Sequence, residues 1–350
     1  MGLDYFLAAT REKLFLKNLA IKYQLGKIEP PVAITWEATK KCNLNCKHCG
    51  VERGKEKELD NCRVKEVIEE LAKMRVKYFQ ITGGEPLLRK GLFEILRYAA
   101  KKGIKTTMAT NGFFIEKETA RKLKKAKIAL VQISIDGTEK THNQIRGNKK
   151  SYAKAMQAME VLKKEKIPIA VATCVMPENI GELEELKKIL IAKKTGYWIL
   201  GVTMPTGKAK KNKELFLSKQ QFRELLEFMV NSKKQINLDL GENFPYLGKF
   251  DEKIRKKPKT CLAGILGCCI GATGHVRACP DMPDTKENRE GNLLKEKFQE
   301  IWKKSFREER ERIVKSNDKK CADCKEWGNC HGGCKVMRIE NRHCFLKYLE

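Results

Sequence analysis

Between Val32 and Val202 short apolar runs alternate with amphipathic stretches, each pair taking about 30 residues, and this period constrains the fold more than any other feature. The runs Val32–Thr39, Tyr78–Thr82, Lys105–Thr110, Leu130–Asp136, Ile167–Val175 and Tyr197–Val202 read as strands. Helices are expected near Arg63–Lys73, Gly91–Lys102, Lys117–Ala126, Tyr152–Glu165 and Ile180–Lys193, where apolar residues recur at helical spacing. Six such units predict an α/β fold, a parallel sheet with helices outside, either doubly wound or rolled into a partial (β/α)6 TIM-like barrel. The chain divides accordingly into a helical lead-in (residues 1–31), the β/α core (32–205), a bridging region (206–258) and a small Cys-rich C-terminal domain (259–350). The bridge opens on a basic stretch, Lys208–Lys213, followed by an expected helix over Lys219–Ser232 and a short strand over Ile236–Leu240.

Parallel sheets place their chemistry at the C-terminal strand ends, and the least ordinary sequences lie there. The first strand is followed by Cys42, Cys46 and Cys49, a Cys-x3-Cys-x2-Cys triplet, and the second by Gly83-Gly84-Glu85-Pro86. Thr110-Asn111-Gly112 follows the third, and Ser134-Ile135-Asp136-Gly137 closes the fourth. Three thiolates can hold three irons of a 4Fe–4S cube and leave the fourth iron open, whereas electron-transfer ferredoxins and structural zinc sites use four ligands. The triplet therefore points to a cluster that does chemistry on a bound ligand. From spacing alone the alternatives are a zinc knuckle completed by His48, or three buried thiols.

Composition narrows the class. There are 14 cysteines, nine of them in the last 90 residues, and in a chain without secretory features this argues for metal or redox chemistry over disulfides. So many thiols also favour an anaerobic host. The net charge of +28 admits a nucleic-acid partner, but the lysines are spread along helix faces (Lys122, Lys124, Lys125; Lys187, Lys188) rather than gathered in one arm. That distribution fits a solvated Lys- and Glu-rich surface better than nucleic-acid binding. No apolar run approaches the ~20 residues that span a bilayer, and the N-terminus lacks the basic region of a signal peptide. No membrane partner and a cytoplasmic location are expected.

The triplet, its place after strand one, and the Gly-Gly-Glu-Pro run together resemble the radical S-adenosylmethionine superfamily, whose partial barrel residues 32–205 match. The resemblance implies that the open iron binds the amino and carboxylate groups of S-adenosylmethionine. Reduction by a donor such as ferredoxin or flavodoxin would then release a 5′-deoxyadenosyl radical that abstracts a substrate hydrogen. It further implies that Gly83 and Gly84 let backbone carbonyls approach the methionine ammonium, that Glu85 accepts a bond from it, and that His48 presents backbone to the adenine. Asn111 and Ser134 become candidates for carboxylate or ribose contacts, though a polar strand-end residue is more often a cap. Arg146 is a candidate for the cofactor carboxylate, against the equal alternative of an exposed loop arginine. Asp136 is expected to stabilise its turn with Gly137.

The C-terminal cysteines look like the SPASM domain, which implies two auxiliary clusters. On that pattern Cys261, Cys279 and Cys334 serve the first, with Cys268 or Cys269 beside them, and Cys321, Cys324, Cys330 and Cys344 serve the second. Adjacent residues rarely ligate one cube together, so one of Cys268 and Cys269 is a spare thiol. A zinc ribbon is the alternative for Cys321–Cys334. Sulfatase maturases carry an Asp as base directly after the cysteine matching Cys279; here Pro280 stands there, and Asp281, one residue on, is a weaker candidate that suits an exposed turn better. The expected substrate is a side chain of a ribosomal peptide or protein, to be oxidised or cross-linked. A small molecule of the tetrapyrrole class is the second expectation, and a non-catalytic, basic RNA-binding metalloprotein the third.

Overall fold

The computed structural model describes residues 12–338 and 344, apart from 52, 55, 242, 243, 245, 256–259 and 315–318. The lead-in contains α1 (Glu12–Gln24); its first part lies outside the described residues. Six parallel strands follow in chain order: β1 (Ala33–Glu37), β2 (Tyr78–Thr82), β3 (Lys105–Thr110), β4 (Leu130–Ser134), β5 (Ile169–Val175) and β6 (Tyr197–Val202). The chain returns through α2 (Asn61–Lys73), α3 (Leu92–Lys101), α4 (Lys117–Lys125), then α5 (Glu139–Arg146) with α6 (Ser151–Lys164), and α7 (Leu183–Ala192).

Strand alternation sorts the residues into two layers. Val131, Ile133, Val171, Trp198 and Leu200 are buried in the apolar core together with Ile68, Leu71, Ile95, Leu123, Met159, Leu162 and Leu190 of the helices. The alternate residues Gln132, Ser134, Ala172, Cys174, Ile199 and Gly201, all but Ile199 small or polar, line a cavity on the inner face. A barrel whose inner positions are not filled by large apolar groups leaves room for a ligand. Helix α2 starts cleanly because the Asp60 side chain accepts from the Arg63 backbone N–H at 2.7 Å.

Two features depart from the sequence reading. Helix α5 was not anticipated, since residues 139–146 are polar and short; it stops at Gly147, whose φ of +67° is the left-handed cap that favours glycine. The sheet also continues past the core. Beyond α8 (Lys219–Ser232), β7 (Leu238–Leu240) adds in parallel to β6. On the opposite edge β8 (Gly267–Ile270) pairs in parallel with β1, placing Cys268 beside Ile34, and β9 (His275–Arg277) and β10 (Gly291–Asn292) extend it antiparallel. The result, among the described residues, is a ten-stranded sheet, order β10-β9-β8-β1-β2-β3-β4-β5-β6-β7. The Cys-rich region thus covers an edge of β1 that would otherwise leave backbone groups unpaired. Among the described residues no helix is long and apolar enough to cross a membrane.

Candidate active site

The cysteine loop leaves β1 and is held by backbone bonds from both sides. Gly84 N–H donates to Thr39 O and Glu85 N–H to Lys41 O, both at 2.7 Å. A Cβ on Gly83 would stand 2.5 Å from Thr39 O, and one on Gly84 2.1 Å from Lys41 O. These two glycines therefore let the second loop lie flat against the cysteine loop, a packing requirement the sequence did not reveal; both also line the cavity. From the other side, Asn45 and Lys47 donate backbone N–H to Arg146 O (3.3 Å) and Ile145 O (3.0 Å), the unsatisfied carbonyls at the end of α5.

Cys42, Cys46 and Cys49 share a cavity of about 410 Å³ with Gly83, Gly84, Asn111, Ser134 and Arg146. Burial pushes the Cys42 and Cys46 thiols up, and for Cys46 the Arg146 cation opposes it. Among the described residues no three His, Cys, Asp or Glu side chains converge tightly enough to hold a single metal ion. His48 is not turned to the thiols: its Nε2 faces Asp136 Oδ2 at 3.9 Å, and burial lowers its pKa to about 4, so the ring is neutral. The structure thus offers no support for His48 as a zinc ligand.

Asp136, read from sequence as a turn residue, is a fully buried charge. Its Oδ2 pairs with Arg146 Nε at 2.6 Å and its Oδ1 accepts from Cys174 N–H at 2.9 Å. Burial alone would raise its pKa, but Arg146, His48, His142 and the Cys174 amide together hold it below the ordinary carboxylate value. The same carboxylate holds the Arg146 guanidinium firmly charged. Arg146 is therefore neither on a loop nor exposed.

Other expected contacts are used differently. Glu85 is buried and its side chain accepts from Thr110 Oγ1 (2.7 Å), Asn111 N–H (2.9 Å) and Leu87 N–H (3.2 Å). It lies behind the cavity wall, where it braces two loops. Asn111 Nδ2 donates to Asn43 Oδ1 at 2.9 Å and lies 3.9 Å from Cys42 Sγ, fixing the cysteine loop. Ser134 lines the cavity as expected, and Cys174, which the sequence reading left alone, lines it too. Its position at the end of β5 was the available signal, because strand ends form the cavity mouth. Asp281 is exposed, as expected of a turn residue, and also lines this cavity; crowding by the surrounding protein, then Glu37, raises its carboxyl above the ordinary value, against Arg277.

The C-terminal thiols gather into two groups. Burial, then Asp281, Cys261 and Cys334, weigh most on the Cys279 thiol. Cys344 and Cys321 act likewise on Cys330, with Cys324 one turn away, its N–H donating to Cys321 O at 3.2 Å. The adjacent pair splits across β8, as strand alternation requires. Cys268 packs into the apolar core near Arg310, whereas Cys269 lies 3.8 Å from Arg277 Nη2.

Residues 36–190 match the family model of the radical SAM superfamily, and 261–325 that of the SPASM iron–sulfur cluster-binding domain. The mycofactocin maturase MftC of Mycolicibacterium smegmatis is 32% identical over 92% of this chain and 82% of its own length. The chain belongs to the radical SAM superfamily and carries a SPASM domain. This radical SAM enzyme is also similar to the AdoMet-dependent heme synthase of Methanosarcina barkeri, 29% identical over 87% of this chain and 91% of the relative. Its fold is that of SuiB from Streptococcus suis, solved with the precursor peptide SuiA (TM-score 0.75, 18% identity, 93% of this chain and 76% of that one). S-adenosylmethionine and 4Fe–4S clusters are the cofactors of the family. The residues present fit them: three free thiols border one cavity.

Proposed function

We propose that this radical SAM/SPASM enzyme oxidises or cross-links a side chain in a ribosomally made peptide or protein. One observation carries the reading: Asp281, next to the Cys261–Cys279–Cys334 group, lines the same cavity as Cys42, Cys46 and Cys49. When bound, the cofactor supplies a radical that removes one hydrogen atom from substrate. Cys42, Cys46 and Cys49 would hold the cluster that binds it, with Ser134 beside it, His48 presenting its backbone and Gly83 and Gly84 shaping the wall.

Net oxidation then needs a place for one proton and one electron. Asp281 stands where it can take the proton, and its raised pKa suits a base better than an ordinary carboxylate would. The electron would leave through the thiolate-held auxiliary site, whose nearest cysteine is two residues from Asp281. Removing a hydrogen atom, a proton and an electron leaves the substrate two electrons more oxidised, and a ferredoxin or flavodoxin would return the electron consumed in cofactor cleavage. The MftC relative, a maturase by name, supports a peptide substrate.

A second reading rests on the heme synthase relatives and on cationic Lys40, Arg53 and Arg146 in the cavity wall, which suit a carboxylate-bearing tetrapyrrole. The third expectation, a non-catalytic RNA-binding protein, falls, because the chain belongs to an enzyme family. Anaerobic reconstitution with iron and sulfide, then dithionite and S-adenosylmethionine, should yield 5′-deoxyadenosine. Offered candidate peptides encoded near its gene and iron-bearing tetrapyrroles in parallel, the enzyme should convert a peptide with loss of hydrogen. Turnover of the tetrapyrrole alone would replace the first reading with the second.

A further inference from the structure

Asp136, Arg146 and Cys46 form a chain of contacts that cofactor binding alone does not explain. Arg146 ends α5, and its guanidinium meets both the Asp136 carboxylate and the Cys46 sulfur. Its Nε stands 2.6 Å from Asp136 Oδ2, and its Nη1 3.8 Å from Cys46 Sγ. Asp136 is itself immobilised: Cys174 N–H donates to its Oδ1 at 2.9 Å, its own N–H donates to His142 Nδ1 at 3.0 Å, and its carbonyl accepts from Asn179 Nδ2 at 2.8 Å. The backbone carbonyls of Ile145 and Arg146 meanwhile accept from Lys47 and Asn45, the residues flanking Cys46. One short helix end thus grips both the main chain and the sulfur of the middle cysteine.

We infer that Arg146 is a positioning residue for the open cluster: braced by Asp136, it donates to the Cys46 thiolate, fixes that ligand, and makes the cluster easier to reduce. This inference rests on reading Cys42, Cys46 and Cys49 as cluster ligands. The physical reason for the sign is direct. Reduction adds negative charge to the cube, and hydrogen bonds to its sulfurs and nearby cations stabilise that charge and raise the potential. A buried guanidinium held by a buried carboxylate stays charged and does not reorient when the electron arrives, so its field is available at no cost in rearrangement. A cation that only awaited the cofactor carboxylate would need neither the sulfur contact nor the grip on the backbone beside it.

The experiment is a redox titration of the reconstituted, full-length enzyme in the absence of S-adenosylmethionine, followed by electron paramagnetic resonance. The open cluster is identified as the signal that changes when the cofactor is then added. Arg146→Gln should move its midpoint to more negative potential by about tenfold in the reduction equilibrium, about 59 mV for one electron, and Arg146→Lys by less. Because Arg146→Gln leaves Asp136 buried and unpaired, the double variant Asp136→Asn/Arg146→Gln removes both charges and tests the same point in a protein without an orphan charge. It should shift in the same direction by a smaller amount, the arginine being nearer the sulfur. Iron-loaded variants whose midpoint is unchanged without cofactor, and which differ only in cofactor affinity, would overturn the inference. Failure of the underlying cluster reading looks different: no signal of the native protein would change when the cofactor is added.

Discussion

Gly84 has so little room that the smallest side chain is informative. A methyl group there would sit 2.1 Å from Lys41 O, a backbone atom that cannot step aside without moving the cysteine loop. Gly84→Ala should therefore cost about 1–3 kcal/mol in urea denaturation of the apoprotein and reduce the iron bound after reconstitution; normal stability with normal iron would show that the loop is pliable. His142 makes a second residue-scale prediction. Burial, then the Arg146 cation, lower its pKa to about 4 from 6.5, although Asp136 pulls the other way. Between these values the unfolded chain binds a proton that the folded one does not, so stability falls as pH falls through that window, by about 1.4 kcal/mol per pH unit. Denaturation midpoints of His142→Gln against the native apoprotein should show this slope flattened by one proton. The cysteine triplet was legible because its ligands are close in sequence, whereas the Asp136–Arg146 pair was not. Its meaning depends on burial and on a polar helix whose residues carry no apolar period, and neither is visible in a string of letters.

At the scale of elements, the β/α period forecast the order of β1 to β6 because each unit closes its own local pattern. The joining of β8 to β1 is a different kind of fact, since the two strands lie more than two hundred residues apart and Gly-Cys-Cys-Ile has no alternation to read. A cross-strand charge pair secures this junction. Arg277 on β9 donates Nη2 to Glu37 Oε1 at the end of β1 at 2.8 Å, and only 2% of its side chain is exposed. Arg277→Leu would leave Glu37 without its nearest cation in a place where burial already raises its pKa. The expected loss is about 3 kcal/mol, seen as a lower denaturation midpoint, and Glu37→Gln in the same chain should restore most of it. If the double variant is as unstable as the single one, the pair acts through packing rather than charge.

On the scale of the whole molecule, the junction makes two cysteine-bearing regions share one sheet, and with it one cavity. The +28 charge plays no comparable part, being carried largely by side chains along helix faces such as Lys122, Lys124 and Lys125 in the last turn of α4. On the proposed function the electron would follow a directed path: from substrate beside Asp281 to the Cys261–Cys279–Cys334 group, then to the group formed by Cys321, Cys324, Cys330 and Cys344 nearer the C-terminus. If electrons leave by that path, damage at its far end should spare the first half of the reaction. Cys324 is well suited to the test, because it belongs to the outer group and neither lines the cavity nor touches Asp281 in the described contacts. Cys324→Ala should keep reductive formation of 5′-deoxyadenosine while lowering the yield of oxidised substrate by about tenfold or more, with about four fewer irons per chain. Supplying an artificial one-electron acceptor should recover part of that yield if the outer site serves only as an exit. Undiminished product with the irons gone would mean that the electron leaves from the inner group directly, and no recovery with the acceptor present would assign the outer cysteines to holding the fold.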